Sequence, residues 1–300
     1  MEAFHRYLAE EIAFDHAEGL LGRREALRRL SMLGLGLPAA SALLAACGGD
    51  EDTPAASAPT TSAPQTTSSS AAPQIATQPI TFSGPRGRSL RGAWAAAPEP
   101  KGGLLVIHEN RGLNDHIRSV AGRFAAAGYS SLAIDLLSEE GGTEAVGGDA
   151  EAMAAISKAP QERLAADLKA GVAEVARREP DVKIGAIGFC FGGGMTWLLL
   201  ASKEPRLAAA APFYGPLPDN ADFRGSKAAV LGVYAELDQR VTSTREAATA
   251  ALRRAGLTHE IVTYKGANHA FFNDTGPRYN PTAAAQAYQK VLDWFGTHLA

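Results

Sequence analysis

The segment VKIGAIGFCFGGG, residues 182–194, carries the pattern that decides the fold. Its apolar first half predicts a buried strand, and its glycine-rich second half predicts a tight turn into a helix. At the centre, GFCFG at residues 188–192 has the form glycine, any residue, nucleophile, any residue, glycine. Such a turn needs both glycines because a β-carbon there would clash with the neighbouring strand and helix. The pattern therefore predicts Cys190 as a nucleophile on a strand-to-helix elbow.

The position of Cys190 also suits its chemistry, because the start of a helix offers a positive end and backbone N–H groups that favour a thiolate and an oxyanion. Taken alone, Cys190 fits a small buried hydrophobe better than a catalyst, because free cysteines usually belong to the core. The choice between the two depends on whether partner residues lie elsewhere in the sequence.

Composition bounds the class of protein. With 300 residues, 46% apolar and 20% charged, the chain has material for one sizeable domain and a tail. The net charge of -3 comes without a basic stripe, so no nucleic-acid partner is expected. With only two cysteines, Cys47 and Cys190, a disulfide framework is not expected.

Residues 1–47 are interpreted as an export signal. The stretch 23–47, RREALRRLSMLGLGLPAASALLAAC, begins with an arginine pair, resembles a twin-arginine signal, and ends like a lipobox that would be lipidated at Cys47. This predicts an exported protein, anchored by lipid at the outer face of the cytoplasmic membrane or in the periplasm. The alternative, an uncleaved membrane helix, is disfavoured because the apolar stretch is shorter than the roughly 20 residues of a span. The sequence assigns no function to residues 1–22.

Residues 48–75 consist mainly of Ala, Pro, Ser and Thr and cannot form a core. We expect a disordered linker that would reach about 30 Å on average, with a glycosylated stalk as the alternative. The folded domain is therefore placed at residues 76–300.

In this domain, short apolar runs alternate with helical stretches, which is typical of a mostly parallel sheet with helices on both faces. We predict a single α/β domain. The predicted strands are residues 78–82, 91–97, 103–109, 129–137, 183–189, 207–215, 228–236 and 259–266. The predicted helices are residues 115–127, 148–178, 191–203, 242–255 and 281–298.

Ligands of an open parallel sheet bind beyond the carboxyl ends of its strands. Cys190, Asp238 and His269 each follow a predicted strand, and Glu109 ends one. The order nucleophile, acid, histidine is that of the α/β-hydrolase triad. In this scheme His269 exchanges protons with the thiol, and Asp238 holds the imidazole in the useful tautomer. The backbone N–H groups of Asn110 and Phe191 are predicted to form the oxyanion hole.

Three residues compete for these roles. Glu236 rivals Asp238 as the acid but lies inside the strand end, and Asp238 itself could instead cap the following helix. His108 should face away from Glu109 by alternation along the strand, and His259 opens a strand at the opposite end of the sheet.

Four segments carry a resemblance to a known family: GFCFGG (188–193), the strand end at Glu109, AELDQRV (235–241) and GANHAFF (266–272). Over residues 76–299 the chain resembles the dienelactone hydrolase, or carboxymethylenebutenolidase-like, family. The resemblance implies an α/β-hydrolase fold and a Cys-Asp-His triad that cleaves a small ester or lactone through a thioester, without a cofactor. It further implies that Glu109 hydrogen-bonds the resting neutral thiol and takes its proton when substrate binds.

One departure concerns the substrate. Dienelactone hydrolases hold a substrate carboxylate with two arginines, and this chain has Glu139 and Asn273 at those places. Arg111 and Arg118 lie near the predicted mouth and could substitute for them. A carboxylesterase that acts on neutral esters is therefore an alternative to a dienelactone hydrolase.

Other classes remain as alternatives. A non-catalytic envelope lipoprotein could use the same fold as a scaffold, and redox sensing at Cys190 would lack a resolving cysteine within the domain. We expect no metal site and no nucleotide loop, because neither ligand clusters nor phosphate-binding patterns occur. Tyr214 and its aromatic neighbours are expected to line the core or a pocket, and we expect a monomer.

Overall fold

The structure is a computed structural model that describes residues 2–46 and 73–300. Cys47, the predicted lipidation site, and most of the predicted linker lie outside the described residues. The chain divides into two compact units, one of residues 5–73 and a larger one of residues 1–4 and 74–300.

The larger unit is built on one sheet of eight strands, and each predicted strand is confirmed. The strands are β1 (Gln78–Ser83), β2 (Ser89–Ala95), β3 (Gly102–Ile107), β4 (Tyr129–Asp135), β5 (Ile184–Phe189), β6 (Leu207–Phe213), β7 (Ala229–Ala235) and β8 (His259–Tyr264). Their order across the sheet is β1-β2-β4-β3-β5-β6-β7-β8. Strand β2 runs antiparallel to both β1 and β4, whereas all the other pairs are parallel.

Helices cover both faces of this sheet, as predicted. They are α4 (Asp115–Ala126), α5 (Asp149–Lys158), α6 (Gln161–Arg178), α7 (Phe191–Ala201), α8 (Gln239–Thr242), α9 (Arg245–Ala255) and α10 (Pro281–His298). The neighbouring residues Leu104 and Leu105 of β3 show which helix covers each face. A β-carbon on Gly185 would meet both Leu104 and Phe295 of α10, so Leu104 lies on the α10 side. A β-carbon on Gly171 of α6 would meet Leu105, so Leu105 lies on the α6 side. Because successive side chains of a strand point to opposite faces, α6 and α10 lie on opposite sides.

Two helix predictions are wrong in detail. The predicted helix 148–178 is two helices, because Ala159 and Pro160 are both extended. Proline pushes the residue before it out of the helical region, so the chain breaks at Ala159 and restarts after Pro160. In place of the predicted helix 242–255, the structure has α9, which begins at Arg245, three residues later than predicted. A turn separates α9 from the short α8, and in this turn the Thr244 hydroxyl donates to the Val241 carbonyl.

The smaller unit contains most of α1 (Glu2–Ala17), together with α2 (Arg23–Met32) and α3 (Leu37–Ala46). On α2, Glu25 accepts hydrogen bonds from Arg28 and Arg29, which hold its pKa at about 2. Among residues 2–46 and 73–300, no helix combines the length and apolar character that a membrane span requires.

Candidate active site

Cys190 occupies a strained backbone position between β5 and α7, with φ of 56° and ψ of -118°. A side-chain-bearing residue adopts such angles only where its surroundings enforce them. Here the Cys190 N–H donates to the Phe213 carbonyl at 3.1 Å, and the Gly194 N–H donates to the Cys190 carbonyl at 3.2 Å. The side chain is 2% exposed. Strain of this kind clusters at functional sites and is typical of a nucleophile elbow.

The glycines around Cys190 are required by space. A β-carbon on Gly188 would lie 2.1 Å from the Gly192 carbonyl oxygen, and one on Gly192 would lie 2.3 Å from the Ile107 carbonyl oxygen. Gly193 is equally restricted, because a β-carbon there would lie 2.3 Å from the Phe213 carbonyl oxygen. The predicted need for glycines at both ends of the elbow is therefore confirmed, and α7 approaches the ends of β3 and β6 closely.

The structure brings the three predicted triad residues together. His269 Nδ1 lies 2.5 Å from Asp238 Oδ2, and both side chains are 1% exposed. A ring nitrogen of His269 lies within 4.8 Å of Cys190 Sγ. Because Asp238 engages Nδ1, Nε2 is the nitrogen that the triad prediction assigns to proton exchange with the thiol. Asp238 is also the N-cap residue of α8, and the Val241 backbone N–H contributes to lowering its pKa, so the predicted cap position and the contact with His269 occur together.

Asp238 is held in its ionised form. Burial favours the neutral carboxyl, but the charge and hydrogen bond of His269 outweigh burial, with help from Arg240, and keep the pKa of Asp238 below its ordinary value. Arg240 Nε lies 3.7 Å from Asp238 Oδ1. An ionised Asp238 accepts a hydrogen bond from Nδ1–H and so selects the tautomer of His269 in which Nε2 carries no proton.

Glu109 is the second residue after the end of β3, and it is 5% exposed. Its Oε2 accepts a hydrogen bond of 2.8 Å from Asn273 Nδ2. Asn273 Oδ1 in turn accepts from the backbone N–H and the hydroxyl of Thr275, at 3.0 and 2.7 Å, which fixes the orientation of the amide. Asn273, which the sequence marked only as a missing arginine, is thus a neutral partner of the predicted glutamate.

Tyr214, which the sequence placed in the core or in the lining of a pocket, contacts the site. Its ring meets that of His269 edge-on, with centroids 5.3 Å apart, and its φ of 34° is unusual for a residue with a side chain. Its buried hydroxyl makes no hydrogen bond of good geometry within the described part of the chain. Burial, followed by the charges of Glu109 and Cys190, raises the pKa of Tyr214 well above its ordinary value, so it remains a hydrogen-bond donor.

The two predicted oxyanion donors belong to adjacent strand ends. Asn110 follows β3 and Phe191 follows β5, and both residues are buried. The two strands are parallel neighbours, with Ile107 paired to Gly188. The assignment of these two N–H groups to an oxyanion hole stays a prediction.

Glu139, at the first of the missing arginines, belongs to an ion-pair network. Its Oε2 accepts from Arg88 at 3.0 Å and from Arg163 at 2.8 Å. The suggested substitutes are also paired with acids: Arg111 lies 3.4 Å from Asp149, and Arg118 lies 3.4 Å from Glu144. Both arginines thus have acidic partners in this chain.

Because Arg163 holds this ion-pair network together, replacing it with methionine should destabilise the domain. Its 8%-exposed side chain also bonds Glu140 at 2.6 Å and the Leu136 carbonyl at 2.8 Å. Because both glutamates are partly exposed, we expect a loss of about 2 to 3 kcal/mol in the free energy of unfolding, measured with urea. The control Arg253→Ala, at an exposed position of α9, should change it by less than about 0.5 kcal/mol. An unchanged Arg163→Met midpoint would show that the network does not stabilise the loop after β4.

The rival residues have structural partners. Glu236 Oε2 accepts from the Gly266 N–H at 2.8 Å, and His259 Nδ1 lies 2.7 Å from the Leu257 carbonyl oxygen. Neither contact involves Cys190 or His269. Asp238 and His269 therefore remain the best candidates for the acid and the base.

The strand order, the strained elbow after β5, and an acid and a histidine after β7 and β8 define the α/β-hydrolase class. Comparison with known proteins narrows this class. A model of the dienelactone hydrolase family matches residues 90–299, and the chain belongs to that family.

Individual relatives agree with this assignment. A protein of Escherichia coli O157:H7, assigned as a carboxymethylenebutenolidase, is 32% identical over 220 residues, which cover 68% of this chain and 81% of the relative. A structure from Klebsiella pneumoniae subsp. pneumoniae MGH 78578, assigned as a dienelactone hydrolase, is similar with a TM-score of 0.63 and 30% identity, covering 74% of this chain and 100% of that one. A dienelactone hydrolase-like promiscuous phosphotriesterase from metagenomic libraries has a TM-score of 0.61 and 25% identity, covering 75% and 100%. The chain is thus a hydrolase similar to dienelactone hydrolases.

Proposed function

We propose that this protein hydrolyses small carboxylic esters or lactones through an acyl thioester on Cys190. The observation that carries the proposal is the arrangement of one buried site: Asp238 bonds His269 at 2.5 Å, and a ring nitrogen of His269 lies within 4.8 Å of the sulfur on a strained elbow. A thiol, a base and a group that orients the base are the parts that nucleophilic catalysis requires.

In the acylation step, the thiol proton of Cys190 passes to His269 Nε2 as the sulfur attacks the substrate carbonyl carbon. The C–S bond forms, and the carbonyl oxygen takes the negative charge, stabilised by the N–H groups of Asn110 and Phe191. Collapse of this intermediate breaks the ester C–O bond. His269 then returns the proton to the departing oxygen, which leaves the acyl group on the sulfur.

In the deacylation step, His269 takes a proton from water as the water oxygen attacks the thioester carbonyl. The C–S bond breaks, the sulfur recovers a proton from His269, and the carboxylic acid leaves. Asp238 stabilises the imidazolium that forms in both steps and is not itself protonated. No cofactor takes part in this scheme.

Glu109 is proposed to accept a hydrogen bond from the resting thiol, as the family resemblance implies. The hydrogen bond from Asn273 leaves Glu109 Oε1 buried and without a hydrogen-bond partner among the described residues. A carboxylate oxygen in that condition gains from a donor such as a thiol or a hydroxyl. The Asn273 amide, unlike an arginine, stabilises Glu109 without a formal positive charge.

We propose that neutral esters and lactones are preferred over anionic ones. Support comes from the two missing arginines, since Glu139 pairs with Arg88 and Arg163, and Asn273 is committed to Glu109. The alternative is an anionic lactone held by Arg111 or Arg118. Phosphotriesters form a third arm of the test, because a solved relative is described as a promiscuous phosphotriesterase.

A substrate panel tests this preference. With wild-type protein, kcat/KM for a neutral lactone should exceed that for its carboxylate-bearing analogue by at least about tenfold, since one charged hydrogen bond contributes about 1.5 to 3 kcal/mol. In Asn273→Arg, the ratio should shift toward the anionic analogue. A wild-type preference for the anionic lactone would contradict the proposal, and no turnover in any arm would favour the scaffold alternative.

We further propose that residues 1–47 direct export and that Cys47 is lipidated, on the sequence pattern given above. Expression in a bacterium with a twin-arginine translocase tests both parts. The wild-type chain should appear in the membrane fraction, Arg23→Lys/Arg24→Lys should stay in the cytoplasm, and Cys47→Ser should lose the membrane association. An identical distribution of all three chains would contradict this proposal.

A further inference from the structure

We propose that His108, whose side chain is fully buried, is a positioning residue that aims the oxyanion donors. Its neutral imidazole fixes the peptide between Glu109 and Asn110 and supports Phe191, the residue that supplies the second donor. The inference rests on the proposed function, because it assigns a role within that oxyanion hole.

The hydrogen bonds of His108 determine its tautomer. The side chain is fully buried, and the Leu136 N–H donates to Nε2 at 3.1 Å. A nitrogen that accepts a hydrogen bond carries no proton, so the ring proton must be on Nδ1. Nδ1 lies 2.6 Å from the Glu109 carbonyl oxygen, and it therefore donates to that oxygen.

This bond sets the direction of the next N–H group. The peptide is planar and trans, because the described residues contain no cis peptide bonds, so its C=O and N–H point in opposite directions. The imidazole, together with the Gly112 N–H at 3.3 Å, holds the Glu109 carbonyl oxygen on one side. The Asn110 N–H is thereby directed to the other side of the peptide, away from His108.

The same ring supports the second donor. The imidazole of His108 stacks on the ring of Phe191, with centroids 5.9 Å apart and planes inclined by 28°. Phe191 is the first residue of α7. The His108 side chain thus links the loop after β3, Leu136 just after β4, and the elbow at Cys190. Both proposed oxyanion donors, Asn110 and Phe191, therefore depend on its position.

His108 is also suited to stay neutral. Burial lowers its pKa below the ordinary value, although the charge of Asp135 and the hydrogen bond to the Glu109 carbonyl act in the opposite direction. Only the neutral ring can accept from the Leu136 N–H and donate to the Glu109 carbonyl at the same time. The support is therefore maintained at neutral pH.

The test uses the full chain with three substitutions. His108→Leu and His108→Met remove both hydrogen bonds, whereas His108→Asn can place an amide N–H where Nδ1 lies and so keep the bond to the Glu109 carbonyl. Each variant is assayed for kcat and KM on an aryl ester, for inhibition by a trifluoromethyl ketone, and for alkylation by iodoacetamide. The ketone adduct on Cys190 carries an oxyanion, whereas alkylation does not need one.

We expect His108→Leu and His108→Met to lower kcat by about 100-fold with little change in KM, as loss of an oxyanion donor does. In these two variants, binding of the ketone should weaken by a similar factor, and the alkylation rate of Cys190 should stay the same. In His108→Asn, most of the wild-type kcat should be kept. The control His259→Leu, at a histidine at the opposite end of the sheet, should change neither kcat nor ketone binding.

Several outcomes would overturn the inference. One is that His108→Leu or His108→Met folds and keeps wild-type kcat and ketone binding. If neither variant folds, His108→Asn provides the test. A folded His108→Asn protein that loses kcat and ketone binding contradicts the role of the Nδ1 hydrogen bond. Wild-type protein that shows neither turnover nor ketone adduct would instead disprove the proposed function itself.

Discussion

Replacing Cys190 with alanine should abolish ester hydrolysis, lowering kcat by about 10⁴-fold or more, as removal of a catalytic nucleophile does in hydrolases with a triad. The physical reason is that the elbow presents no other nucleophile to the substrate: its neighbours are glycines and phenylalanines. The measurement is steady-state turnover of an aryl ester, with KM and circular dichroism recorded to show that binding and folding are retained.

A matched control uses the other cysteine. Cys47→Ala should keep wild-type turnover, because the proposed chemistry does not involve that residue. Cys190→Ser separates nucleophile identity from packing: it preserves size and the triad geometry, and any residual activity should still require His269. Wild-type kcat in Cys190→Ala would refute the nucleophile assignment and return Cys190 to the class of buried structural cysteines.

Replacing Asp238 with asparagine should lower kcat by about 10⁴-fold, the loss seen when the orienting carboxylate of a triad becomes an amide. The 2.5 Å bond to His269 Nδ1 requires an acceptor, and an asparagine that presents its NH₂ instead would favour the wrong tautomer. Glu236→Gln is the control, since Glu236 accepts from the exposed Gly266 N–H, and it should change kcat by less than about threefold. A reversed ranking of these two variants would make Glu236 the acid.

The depressed pKa of Asp238 also predicts a pH effect on stability. A carboxyl whose folded-state pKa is below its unfolded value of about 3.9 stabilises the fold above that pH, and this contribution disappears as pH falls through the folded-state pKa. Below about pH 4, wild type should therefore lose more unfolding free energy than Asp238→Asn. Parallel urea titrations from pH 6 to pH 3 measure the difference, and equal slopes would contradict it.

Much of the fold could be predicted because its strands are buried on both faces. Runs such as GLLVI in β3 and AVLGVYA in β7 are continuously apolar, as strands buried on both faces are. The misjudged helix 148–178 shows the limit of this approach. Apolar periodicity continues across Pro160, so the pattern alone did not register the break that the proline imposes.

The site was predictable where its chemistry depends on position along the chain. Cys190, Asp238 and His269 follow strand ends, and parallel strands bring their carboxyl ends to one edge. Asn273 and His108 were not predictable in their present roles, because each depends on a particular hydrogen-bond geometry. The amide of Asn273 reaches a glutamate 164 positions away, and the second partner of His108 lies 28 positions along the chain.

The central claim, an acyl thioester on Cys190, is tested most directly by acid-quenching the full chain during turnover of a hindered aryl ester that deacylates slowly. After tryptic digestion, the peptide of residues 184–203 should carry the added mass of the acyl group, and hydroxylamine should remove it. The peptide from Cys190→Ala should carry none. An acyl group found on a different residue, with turnover that persists in Cys190→Ala, would contradict the account.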